Sequence, residues 1–291
     1  MTFYVIGNGF DLHYGLKTRY DHFKSYLINN GYSDLIDRVD DLFYRIGGFD
    51  IDEITDWSKF EDMLVVFNNL DPDEIYDEAM ENAETDDDRA GYWDSPSWNV
   101  GFYNEYIQTL KQEFDVWIEN INTRIVPDNY FMPKKKDFIL TFNYTTTIED
   151  NYDFNPNNII HIHGTVGQEI ILGHNEFQEP YHYHIIEDEE SDYRDVTTRK
   201  AVNEVLDQAA IEYYKNSPAI LEKYSSLFKQ IPKFEKVVLI GLSCGPQDKI
   251  YIHEILKYTH NIEFFYYDLE ARENFEWLAR NFNGSIKFIK W

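Results

Sequence analysis

Apolar residues along this chain fall into two rhythms. Short runs at 2–6 (TFYVI), 138–142 (FILTF), 159–162 (IIHI), 236–240 (KVVLI), 261–267 and 285–289 are bounded by polar and turn-forming residues. Runs of that length and make-up predict buried strands of a parallel sheet. A further run at 170–172 (IIL), closing in Gly173 and His174, predicts another short segment at the same edge as 138–142 and 159–162. Elsewhere the apolar spacing is helical. It predicts two amphipathic helices between Tyr20 and about Arg45 with a break at Gly31, a helix over 57–70, another over 98–125, and a mostly helical 196–230 interrupted at Ser217 and Pro218. A last helix is predicted over 269–281. In the 57–70 segment (WSKFEDMLVVFNNL), Ser58 and Glu61 have the spacing of a capping box. Residues 71–99 are acidic and poor in aliphatics, with ETDDD at 84–88, and predict a solvated loop or mobile cover. The polar, Tyr- and His-rich 176–194 predicts a loop able to fold over the rim of the sheet.

Strands alternating with helices require an α/β fold, here a Rossmann-like parallel sheet with helices on both faces and large, mostly helical insertions. The strand-forming pieces place the core at 1–19, 136–174 and 233–291, with 20–135 and 175–232 as insertions packed on it.

In an open parallel sheet the ligand crevice lies beyond the carboxyl ends of the strands. Four loops follow strands there: 7–11, 143–145, 163–165 and 241–248. The first, Gly7-Asn8-Gly9-Phe10-Asp11, reads as strand, glycine turn, helix, a geometry that lets backbone N–H groups approach a phosphate or ribose. The full dinucleotide fingerprint wants a third glycine where Leu12 stands, so a tight turn without a ligand is the competing reading. Asn143 closes the 138–142 run, with a helix cap as its structural alternative. His161 and His163, two apart on a predicted strand, face one side and have a spacing suited to joint metal ligation. A core His161 bonded to backbone is the alternative, and His163, next to Gly164, is placed to act as a base near neutral pH.

Charge narrows the partners. With 26 Lys plus Arg against 53 Asp plus Glu, the net charge of -27 repels a phosphate backbone or an anionic membrane. Nonspecific nucleic-acid binding and membrane association are therefore not expected, whereas a small-molecule nucleotide held by local groups is compatible. The single cysteine, Cys244, excludes an internal disulfide and any multi-cysteine metal module. No apolar stretch reaches the length of a membrane span, and a cytoplasmic protein is expected.

The ordered set GNGFDL at 7–12, WSKFE at 57–61, TFNYT at 141–145, HIHG at 161–164, ILGH at 171–174 and GLSCGPQD at 241–248 resembles the AbiH family of bacterial phage abortive-infection proteins. That family in turn looks like a distant relative of the sirtuin-type NAD-binding fold. The resemblance implies that Gly7, Asn8, Gly9 and Phe10 line a nucleotide site together with Asp11. It implies that Asn143 positions a water or ribose hydroxyl, that His163 acts as base, and that Gly241, Ser243 and Asp248 hold the adenosine half. Asp11, Asn143 and His163 are then the catalytic set, with NAD as substrate and no metal required. Deacylating sirtuins carry a four-cysteine zinc module that Cys244 alone cannot supply. What remains is hydrolysis of the nicotinamide–ribose bond, under regulation by a homo-oligomer or a phage-derived trigger. Two rivals stay open: a metal-dependent hydrolase or nuclease using His161, His163, His174 and His182 or His184, and a non-enzymatic nucleotide sensor.

Overall fold

The β-branched and aromatic runs of the sequence become a six-stranded, all-parallel sheet in the computed structural model, which describes residues 1–85, 96–186 and 192–291. The strands are β1 (Thr2–Ile6), β2 (Phe138–Thr141), β3 (Ile159–His161), β4 (Lys236–Ile240), β5 (Asn261–Tyr266) and β6 (Ser285–Lys290). Helices in chain order are α1 (Gly9–His13), α2 (Tyr20–Asn29), α3 (Ser33–Arg45), α4 (Ile51–Asp56), α5 (Phe60–Met63), α6 (Pro72–Thr85) and α7 (Pro96–Glu119). They continue as α8 (Thr147–Asn151), α9 (Tyr193–Glu212), α10 (Ser217–Lys223), α11 (Ser225–Phe228), α12 (Lys249–Tyr258) and α13 (Leu269–Leu278). Two compact units result. The first comprises Met1–Phe23, Asp115–Ile171 and Asn216–Trp291, and the second Lys24–Phe114 and Leu172–Lys215.

The first unit holds the whole sheet, in the order β3-β2-β1-β4-β5-β6. This is the strand order of dinucleotide-binding folds, and it reverses direction between β1 and β4, where the crevice of such sheets opens. Tyr4 sits in register between Ile139 of β2 and Val238 of β4. Successive side chains of a strand point to opposite faces. Accordingly Phe3, Val5, Leu140, Val237, Leu239, Ile262 and Phe264 pack with α10 to α13 through Ile220, Phe228, Tyr251, Ile252 and Phe275. The opposite positions, Ile6, Ile139, Val238 and Ile240, pack against Phe10, Phe131 and Ile148. Burial on both faces is why these strands read as unbroken apolar runs rather than as alternating ones.

Several expectations are corrected. The run at 170–172 forms no strand. Ile170 and Leu172 are buried, but Ile171 N–H donates to the His163 carbonyl, and the chain then enters the second unit. There Gly173 adopts φ +141° hard against the Tyr213 backbone, and His174 pairs with Tyr214. Burial made the run apolar without pairing it in the sheet. Segment 57–70 is not one helix either. Trp57 is left-handed at φ 50°, only Phe60–Met63 is α-helical, and a 3-10 turn follows over Leu64–Asn69. Ser58 caps nothing; its N–H donates to Asp56 Oδ1.

Most of the acidic 71–99 segment is helix rather than loop, in α6 and the start of α7, with 86–95 outside the described residues. Ile75 and Ala79 are buried, and the acids have partners: Glu78 accepts from Arg38 and from the Tyr103 hydroxyl, both at 2.6 Å. Residues 176–186 lack regular structure as expected, and 187–191 lie outside the described residues. The first of these stretches is pinned within the second unit, where Arg199 sits over the rings of Tyr76 and Tyr183 at 4.7 and 4.4 Å. No helix of the described residues is long and apolar enough to cross a membrane.

Candidate functional site

The turns after β1 and β4 meet at the reversal of strand order. Gly7 N–H donates to the Ile240 carbonyl at 2.9 Å and Gly9 N–H to the Gly241 carbonyl at 2.8 Å. A Cβ on Gly7 or Gly9 would come within 2.7 Å of the Gly241 backbone, and one on Gly241, at φ +64°, within 2.3 Å of Phe10 N. Real side chains do not tolerate such approaches, so backbone meeting backbone accounts for these glycines. α1 has five residues and carries Asp11 in its first turn. A helix this short has only a weak positive end, and the Asp11 carboxylate in its first turn accepts from Thr145 Oγ1. Phe10 is fully buried among Tyr14, Phe131 and Tyr152, so its ring serves the core. Asn8 is exposed and ties the turn to the Thr18 carbonyl at 2.9 Å.

Asp11 itself is 0% exposed. Thr147 Oγ1 donates to Thr145 Oγ1 at 3.1 Å, and Thr145 Oγ1 donates in turn to Asp11 Oδ2 at 2.5 Å. Burial pushes the Asp11 carboxyl up to about 6, held from rising further by hydrogen bonding from Thr145, Thr147 and Asn143 and by the charge of His161. The structure therefore brings Asp11 and Asn143 together. Asn143 is not a helix cap: α8 begins at Thr147 with Thr146 before it, and the Asn143 N–H bonds Thr141 Oγ1 at 3.1 Å. Two buried oxygens remain without a hydrogen-bond partner here, Asp11 Oδ1 and Asn143 Oδ1.

β3 ends at His161, so strand alternation does not carry to His163 and the two rings have different neighbours. His161 Nδ1 lies 2.8 Å from the Asn143 carbonyl and Nε2 lies 2.7 Å from Glu149 Oε1. His163 is 4% exposed. Its ring packs edge-on against Phe142 and Tyr251, each with centroids 5.4 Å away, and its Nε2 is 3.3 Å from the Tyr251 hydroxyl. The joint-ligation reading fails on this geometry, because both His161 nitrogens are already engaged. Among the described residues, no group of three or more His, Cys, Asp and Glu is placed to hold a metal ion. His174 belongs to the second unit, where burial pushes its ring down to about 4, and His182 is bonded to Asp207 at 2.9 Å.

After β4, Ser243 is exposed with its hydroxyl 3.5 Å from Asp248 Oδ2, and its carbonyl accepts from Asn274 Nδ2 at 3.2 Å. Cys244 is buried at φ 54°, and burial pushes its thiol well up, away from reactivity. Thr145 lay in the expected 143–145 rim loop but without a role of its own, and Thr147 and Tyr251 were not anticipated from sequence. The run Thr145-Thr146-Thr147, beginning two positions after Asn143, was the available signal for the two threonines, since clustered hydroxyls near a strand end suit a buried acceptor.

A family model described as "Bacteriophage abortive infection AbiH" matches residues 3–268. No curated protein and no solved structure matches the chain.

Proposed function

The chain belongs to the AbiH family of bacteriophage abortive infection proteins, and from that premise we propose that it acts in phage defence by hydrolysing the bond between nicotinamide and ribose in NAD. The observation that supports this most is the buried pair of Asp11 and Asn143 at the carboxyl ends of β1 and β2, each with an oxygen the protein leaves unpartnered. Nicotinamide departs with the bonding electron pair and leaves an oxocarbenium-like ribose, as in glycoside cleavage. An ionised carboxylate beside that ribose stabilises the developing cation, and a carboxamide oxygen accepts from the attacking water and orients it. The proton released by that water goes to the His163 imidazole. The balance is NAD plus water giving nicotinamide, ADP-ribose and a proton.

Ser243 and Asp248, on the loop after β4, are the groups proposed for the adenosine side. A hydrolase of this kind running unchecked would empty its own host of NAD, so we expect activity to await assembly or a ligand. Among the described residues, the helical insertions would be the moving part. A fully active monomer that needs no trigger would remove that expectation.

The test is nicotinamide release from NAD by the activated protein, with Asn143→Ala and His163→Ala alongside. Each substitution is expected to lower the rate by about 100-fold or more, the usual worth of a positioned polar or acid–base group. No release from an activated wild type counts against the reading. Nucleotide binding by calorimetry with NAD left intact would favour a sensor instead.

A further inference from the structure

The HIHG segment brings two histidines, and the proposed reaction uses only the second. His161 closes β3 with its side chain 8% exposed. Its two partners, the Asn143 carbonyl and the Glu149 carboxylate, lie on either side of the ring at 2.8 and 2.7 Å. A carbonyl has no proton to give, so Nδ1 must carry the hydrogen that points at Asn143. Glu149 sits on α8, the helix that follows the Asn143 loop, and the ring therefore spans from the end of β2 to that helix.

Asn143 is consequently held at both peptide groups. Its N–H is fixed by Thr141 Oγ1 at 3.1 Å and its carbonyl by His161. With the backbone clamped on both sides, the side-chain amide is left to choose among a few staggered rotamers. One of its interactions is with Asp11, whose carboxylate the Asn143 side chain stabilises. We propose that His161, braced by Glu149, is a positioning residue for Asn143: it fixes the Asn143 carbonyl and so sets the direction in which the amide presents its oxygen to the sugar. This rests on the reading of Asn143 as the amide of an NAD hydrolase, and His161 itself touches no substrate.

Two near-isosteric substitutions separate the halves of the clamp. The amide nitrogen of Asn at position 161 falls near the place of Nδ1, and that of Gln near the place of Nε2. His161→Asn therefore keeps the donor to the Asn143 carbonyl, whereas His161→Gln keeps only the reach to Glu149. With NAD, His161→Asn is expected within a few-fold of wild-type kcat. His161→Gln is expected to lose about 10- to 100-fold in kcat with KM little changed, the scale of a misplaced catalytic group. Equal kcat losses in both variants, or a loss carried by KM, would overturn the proposal. A second readout needs no substrate: the carbonyl and side-chain amide NMR signals of isotope-labelled Asn143. They are expected to move in His161→Gln and to stay near wild type in His161→Asn. If they stay in place in both, positioning is wrong even in an enzyme that cleaves NAD. If they move as expected while the wild type releases no nicotinamide, the clamp stands and the NAD reading falls.

Discussion

The two units of this chain bury charge in different ways. In the second unit a buried charge meets a counter-charge. Lys215, 1% exposed, pairs with Glu61, and Lys24 pairs with Asp40 at 2.6 Å while also donating to the Ile54 carbonyl at 2.7 Å. Trp57 completes that second pair by donating to the other Asp40 oxygen at 2.7 Å. In the first unit, Asp11 is met by hydroxyls, an amide and the charge of His161, and its pKa still rises to about 6. Pairing makes the second unit's charges structural. The incompletely compensated acid works against folding whenever it is ionised, which fits the catalytic role proposed for it.

The largest effect expected from breaking this contrast is in the second unit. Lys215→Ala removes the buried ammonium that pairs with the partly buried Glu61 and should destabilise the protein by about 3 kcal/mol in chemical denaturation. Replacing both members, as Lys215→Met with Glu61→Leu, should recover much of that loss. A Lys215→Ala variant as stable as wild type would mean the pair compensates nothing, and the contrast would collapse.

His174 sharpens the comparison, because it is the second unit's own exception: buried, with neither ring nitrogen hydrogen-bonded. Burial lowers its folded pKa from 6.5 to about 4. The unfolded chain therefore takes up a proton between those values that the native state refuses. Its contribution is fully present above pH 6.5 and is lost as pH falls toward 4, by about 3 kcal/mol. His174→Gln should flatten that acid limb in an unfolding-versus-pH series, and an unchanged limb would show that the ring is not held neutral. The smallest effect belongs to Ser243→Ala. Its hydroxyl is exposed with one long bond, so stability should move by less than about 0.5 kcal/mol, while KM for NAD rises and kcat holds. A fall in kcat would take Ser243 off the adenosine side.

What sequence could show follows from how far apart the interacting residues lie. β1 and β4 were legible because strands buried on both faces are apolar without interruption. The core histidine bonded to backbone was legible as an alternative, and His161 on the Asn143 carbonyl is that case. By contrast, α6 looked like a solvated loop because the groups that settle its acids, Arg38 and Tyr103, lie 40 and 25 positions from Glu78. The same holds for Glu61, read as half of a capping box, whose partner is 154 positions away. At the site, the loops of Asp11 and Asn143 could be placed at one rim from the strand pattern alone. The hydroxyl relay through Thr145 and Thr147 could not, since it depends on a 134-residue closure that no local pattern encodes.

The contrast between the units is tested most directly by the pH dependence of unfolding of wild type and Asp11→Asn. Asp11 has a folded pKa raised from 3.8 to about 6. The native state therefore keeps a proton that the unfolded chain releases over that window. Wild-type stability contributed by this group is present below about pH 4 and is lost as pH rises through 6, by about 3 kcal/mol. The carboxamide has no such titration and can still accept from Thr145. The stability of Asp11→Asn relative to wild type should thus climb by about 2 kcal/mol between pH 4 and pH 7, while nicotinamide release falls. A difference that stays flat across that range, or that turns against the variant as pH rises, would contradict the account.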